Sequence, residues 1–194
     1  MIALVVHGFG SSKESCIGRV LAKKFPAAGI GLLRFDIPAH GESPVDGTGL
    51  RIETCLDDIA AVEQYARSLA PEAEIVYFGS SFGAYLLLLY FSLRQPAGRK
   101  AYFRSAAVNM LAIMLEDPDP RYVEELEATG SFLLEEGYER PLRITQAFLA
   151  DLAGHDVFRL YRPGMAEIRM VHGEADDVVP ADEYTLAKWT YPPF

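Results

Sequence analysis

The chain has 194 residues, half of them hydrophobic and 23% charged, and a formal net charge of -9. That length fits one domain with a full core, and the composition excludes a disordered chain. The acidic balance argues against nucleic acid or an anionic membrane surface as a partner, and two cysteines in helix-like segments, Cys16 and Cys55, give little basis for a disulfide or a cysteine metal site.

Ile2 to Val6 is a continuous apolar run, the pattern of a strand buried on both faces of a parallel sheet. It stops at the glycine-rich loop His7-Gly-Phe-Gly-Ser-Ser12, whose backbone N–H groups can face an anion. A helix with apolar positions at Ile17, Val20, Leu21 and Phe25 follows. The loop lacks G-x-G-x-x-G spacing and has only a loosely placed Asp36 as an acidic ribose partner, so a dinucleotide site is the weaker reading of it.

Gly31 to Asp36 reads as a second buried strand, running into a proline- and glycine-marked loop that ends at Pro44. The next helix carries Ile52, Leu56, Ile59, Val62, Ala66 and Leu69 on one stripe, which leaves Glu53, Asp57, Asp58 and Glu63 toward water. Pro71 closes it. A β-rich run from Glu74 then ends at Gly79-Ser-Ser-Phe-Gly83, and a helix-compatible run with four leucines begins. That is strand, sharp turn and helix in the pattern G-x-S-x-G, with Ser81 at the apex. A strained turn tolerates only small residues two before and two after the serine, which glycines 79 and 83 supply. The plainer alternative is an ordinary strand-to-helix turn with a capping serine.

Ala101 to Val108 reads as another strand, less clean because of Arg104 and Ser105. From residue 109 to about 143 the sheet pattern lapses into an apolar cluster at Met110 to Leu115, a turn at Asp117-Pro-Asp-Pro120 and an acidic mixed segment. We read 109–150 as a cap inserted within a single domain spanning 1–194, its methionines and leucines either walling an apolar substrate group or filling a core gap. Thr145 caps a helix through Leu152 with Phe148, Leu149 and Leu152 on its buried side. Ala166 to Val171 is the last clear strand, and residues 181–189 are expected to form one more helix. Strands alternating with helices predict an α/β fold, a mostly parallel sheet with helices on both faces.

No charged leader with an apolar core and cleavage site is visible, and the longest apolar run, near Leu86 to Phe91, is too short to span a bilayer, so a cytoplasmic protein is expected. No cofactor and no metal is expected, and an uncovered sheet edge invites pairing into a homo-oligomer.

Taken together, these segments resemble the α/β-hydrolase superfamily, most of all small bacterial serine esterases of the cinnamoyl or feruloyl esterase kind. His7-Gly-Phe-Gly is similar to the oxyanion loop, and Asp36 to Ser43 to the loop D-x-x-G-H-G-x-S with Ala39 in place of the first glycine. Gly79 to Gly83 is similar to the nucleophile elbow, and His172-Gly-Glu-Ala-Asp-Asp-Val-Val-Pro180 to the acid loop. The resemblance implies that Ser81 forms an acyl-enzyme from a small-molecule ester, with Asp176 orienting a catalytic histidine and Asp177 its nearest rival. The N–H of Phe82, next after the nucleophile, would face the developing oxyanion by elbow geometry; that of Phe9 would do so by resemblance.

The triad order serine, acid, histidine places the base after Asp176, where residues 177–194 contain no histidine. His7, His40 and His172 sit in ordinary turns of the family, and His155 precedes the acid. The expectation is therefore a chain lacking its natural end, and also the strands that relatives place before Leu4. Two other readings are a silent relative that binds an acyl ligand, and a thioesterase or peptidase of the same fold.

Overall fold

The computed structural model describes residues 1–116, 118–176 and 178–179. The expected helix over 181–189 lies outside them. Strand β1 (Ile2–Val6) is central because every one of its residues is apolar and both its faces are covered. Ile2, Leu4 and Val6 join the main core on one face, while Val5 meets a smaller cluster with Leu21 and Phe78 on the other. Helix α1 (Cys16–Ala27) supplies that second face, held at its start by Ser15, whose hydroxyl accepts from the Gly18 N–H.

Strand β2 (Gly31–Arg34) pairs with β1 in parallel but is half-exposed, which corrects the expectation of a buried strand. The reason is its place at the edge of the sheet. Helix α2 (Ile52–Leu69) buries Ile52, Leu56, Ile59 and Ala66 as the stripe requires. Two positions of the apolar patterns fail: Leu69 at the end of α2 and Val20 within α1 face solvent. Glu63 also departs from expectation, since it is buried rather than solvated. Its carboxylate accepts from the hydroxyls of Tyr77 and Tyr90, the latter at 3.2 Å, and from the Ala97 N–H at 3.0 Å.

Strand β3 (Ile75–Ser80) lies on the other side of β1 from β2, and helix α3 (Phe82–Leu93) follows at once. A helix apolar all round belongs in an interior, and α3 is buried from Phe82 to Phe91 between the sheet and α2. Each of its leucines 86 to 89 contributes about 2 kcal/mol through burial. Strand β4 (Lys100–Arg104) ends earlier than the sequence suggested, because Ser105 turns into positive φ at +46°.

Helix α4 (Met110–Leu115) and helix α5 (Pro120–Thr129) follow, and then a hairpin of β5 (Ser131–Leu134) and β6 (Leu142–Thr145) that the sequence reading did not anticipate. Helix α6 (Gln146–Gly154) starts at Thr145, whose hydroxyl accepts from Phe148 N as expected. Short α7 (Val157–Leu160) leads to β7 (Glu167–Val171). The sheet order is β2-β1-β3-β4-β7, all parallel. The connection reverses direction between β1 and β3, and in open parallel sheets the crevice beyond the carboxyl ends of such a pair is where ligands bind.

Candidate active site

Ser81 stands at that crevice, on the turn between β3 and α3, with φ +51° and ψ -118°. This conformation costs a residue with a side chain roughly 1–3 kcal/mol and persists only where its surroundings impose it. They do so through close packing: a Cβ on Gly79 would lie 2.7 Å from the Ala84 backbone, and one on Gly83 would lie 2.1 Å from the Val6 carbonyl oxygen. Both glycines are thus required for α3 to start this close to β1 and β3. The Ser81 N–H is fixed by Arg104 O at 2.9 Å, and no described residue hydrogen-bonds its hydroxyl.

The loop after β1 passes beside it. A Cβ built on Gly8 would sit 3.9 Å from Ser81 Oγ, so the glycine lets the loop approach the serine. Among the described residues, neither the Phe9 N–H nor the Phe82 N–H donates to a protein acceptor, and both are free to serve an oxygen placed there. The ring of Phe9 is held edge-on to Phe82 at 5.6 Å and to His40 at 5.3 Å, which fixes the loop from the side-chain end. From below, Asp36 ties the loop down: its carboxylate accepts from Lys13 N at 2.7 Å, Lys13 Nζ at 2.6 Å and Glu42 N at 3.0 Å. Burial alone would raise the Asp36 pKa; those donors outweigh it and hold the group below the usual carboxylate range. A carboxylate so occupied is a brace and not a ribose ligand, which removes the dinucleotide alternative.

Asp176 follows β7 at the same end of the sheet. Its Oδ1 accepts from Val179 N at 3.0 Å and Val178 N at 3.2 Å, and the Ser105 hydroxyl also bonds the carboxylate. Burial pushes this group upward, but those hydrogen bonds and nearby His172 keep it below its ordinary value, hence ionised at neutral pH. Val178 and Val179 reach the cavity that holds Ser81, which puts the acid loop and the serine at the two sides of one opening. Asp177 lies outside the described residues.

The histidines are all engaged elsewhere. His7 Nδ1 donates to Gly8 O at 2.8 Å and its Nε2 accepts from Ile37 N at 3.3 Å, the pattern of a neutral ring; burial lowers its pKa. His40 donates from Nδ1 to Pro38 O at 2.8 Å, and burial among Phe9, Phe82 and His7 lowers it to about 4. His155 meets Asp151, 3.2 Å away, and Glu53 at the start of α2. His172 Nε2 donates to Val179 O at 2.8 Å and so shapes the acid loop.

The cavity over Ser81 encloses about 370 Å³ and is walled by α4, α5 and the β5–β6 hairpin. Sequence reasoning missed Ser105 and Tyr138. The first sits where a strand ends at the ligand-facing edge, a position that invites notice; the second gives no local signal, since its contact is with Gly10, where an added Cβ would lie 1.9 Å from the Tyr138 ring. Among the described residues no group of three His, Cys, Asp or Glu side chains could hold a metal ion, and no helix is long and apolar enough to cross a membrane.

A parallel sheet with a serine on a tight strand-to-helix turn at its carboxyl edge, and an acid two strands away, defines a hydrolase-type α/β protein. The chain belongs to the alpha/beta hydrolase fold family, whose model matches residues 4–162. Among solved structures it is similar to Est1E from Butyrivibrio proteoclasticus with ferulic acid bound, at 18% identity and TM-score 0.80 over 98% of this chain and 75% of that one. It is also similar to alpha/beta hydrolase domain-containing protein 10 from mouse (19%, TM-score 0.75, 97% and 75%) and to the Paleococcus ferrophilus monoacylglycerol lipase (18%, TM-score 0.68, 95% and 77%). No curated protein matches the chain. Identities this low carry the fold and leave the chemistry to the site.

Proposed function

We propose that this chain is a serine hydrolase acting on a carboxylic ester. The reading is carried by one observation: Ser81 is held at positive φ on the tight turn, with its hydroxyl unengaged by any described residue at the floor of an apolar cavity. In the proposed reaction Ser81 Oγ bonds to the ester carbonyl carbon, the carbonyl oxygen takes the negative charge, and the N–H groups of Phe9 and Phe82 stabilise it. The C–O bond to the alcohol then breaks, the serine proton leaving with the alcohol through a base, and water cleaves the acyl-enzyme by the same route. Asp176 orients that base, a histidine in this scheme, which none of the described residues supplies. Residues 109–150 act as the cap over the acyl group. The ferulic acid bound to Est1E and the name of the monoacylglycerol lipase are consistent with an ester substrate. A cytoplasmic location and association through the open edge of β2 complete the reading.

A panel of aryl esters, acyl thioesters and peptide amides, assayed with and without imidazole as an external base, tests it. Ester turnover should exceed the other two, rise with imidazole and disappear in Ser81→Ala. Turnover unchanged in Ser81→Ala contradicts the proposal. One observation favours a second reading, a protein that binds an acyl ligand without turning it over: all four histidines have other partners. Ligand binding with no ester turnover at any imidazole concentration would select it.

A further inference from the structure

The cavity beside Ser81 has a chemical character that narrows its occupant. No charged side chain lines it among the described residues; the side-chain oxygens along its walls belong to Ser81, Tyr122 and Tyr138. Met110, Met114, Leu126, Leu134 and Leu149 bring unbranched or γ-branched side chains that adapt to a flexible tail, beside the β-branched Ile113, Val123, Val178 and Val179. Two of the aromatic rings there are committed to each other, Tyr122 stacking on Phe132 at 5.0 Å, and Phe9 is packed among Phe82, Phe148, Tyr138 and His40. Leu115 and Val178 line the same cavity while remaining largely exposed, 50% and 65%, so its rim is apolar as well. A polar or charged group entering would leave its water for walls that offer almost no hydrogen bonds, at a cost of about 1–3 kcal/mol for a hydroxyl.

From this we infer that the cavity is an acyl site for an uncharged, straight, medium-length aliphatic chain, of up to about twelve non-hydrogen atoms given its 370 Å³ and roughly 30 Å³ for each small group. The inference rests on the ester-hydrolase reading for the word acyl, but the cavity's selectivity does not depend on Ser81 reacting. In this inference Leu126, which lines the cavity from helix α5, sets the usable length.

Binding of 1-alkanols from butanol to dodecanol, read by calorimetry on the full chain, separates the two claims. Affinity should rise about three- to fourfold per methylene and level off near ten to twelve carbons. The diol 1,8-octanediol should bind at least fivefold more weakly than 1-octanol. Leu126→Trp should bring the plateau two or three carbons earlier and Leu126→Ala should extend it. A flat dependence on length, equal affinity for the diol, a plateau unmoved in both Leu126 variants, or tighter binding of cinnamyl alcohol than of 1-octanol would each overturn the inference. The same chain lengths carried on p-nitrophenyl alkylphosphonates report on the serine separately. Labelling that tracks the alkanol curve and vanishes in Ser81→Ala supports both claims; the alkanol curve without labelling upholds the aliphatic cavity and counts against the nucleophile.

Discussion

At Ser81 the backbone holds a conformation that a glycine would adopt without strain, and the side chain is the only reason for anything else to stand there. Strain kept at the position proposed as the nucleophile would be a trade of stability for function. Ser81→Gly should therefore be more stable than Ser81→Ala by about 1 kcal/mol in urea unfolding, since alanine keeps the clash and glycine removes it. Equal stabilities would show that the turn is not strained. His40 makes a second argument at this scale. Burial sets its folded pKa at about 4 against an ordinary 6.5, with His7 and Arg140 lowering it further and Asp36 opposing them. Between those values the unfolded chain binds a proton that the folded chain does not, so the contribution of His40 is complete above pH 6.5 and is lost as pH falls toward 4. The loss is about 3 kcal/mol. Unfolding free energies measured from pH 7.5 to 4.5 should fall less steeply in His40→Gln than in the parent; equal slopes would refute the assignment.

Among the elements, α2 shows why a stripe of apolar residues underdetermines what a helix buries. Glu63 has the spacing of a solvated charge, yet it receives two tyrosine hydroxyls from β3 and α3 and the N–H of Ala97. Burial and the Glu63 carboxylate raise the pKa values of Tyr77 and Tyr90. Glu63→Ala should cost about 3 kcal/mol by leaving those donors unpaired, and Glu63→Gln distinctly less; a loss below 1 kcal/mol in Glu63→Ala would mean the network is idle. The same contrast explains which parts were legible in the sequence. Strand β1, the serine turn and the Thr145 cap are written in local patterns, so their places followed from residues alone. The half-exposed β2, the burial of Glu63, the β5–β6 hairpin and the Tyr138 contact depend on partners distant along the chain, which no local pattern encodes.

For the whole molecule, the sheet order matters most. The reversal between β1 and β3 brings the loop from His7 to Gly10 against Ser81, and the parallel step through β4 to β7 delivers Asp176 to the same edge. Topology thus gathers four sequence motifs at one edge of the sheet. With all four histidines bonded to other partners, a chain of these 194 residues should turn over esters roughly a million-fold more slowly than a complete triad, which makes adduct formation a better probe than turnover. The most direct measurement is therefore mass mapping after treatment with a serine-directed fluorophosphonate in the presence of imidazole. The account predicts one adduct, on the peptide containing Ser81, absent from Ser81→Ala and slower in Asp176→Ala. An adduct on another residue, or one whose rate is unchanged in Ser81→Ala, would contradict it.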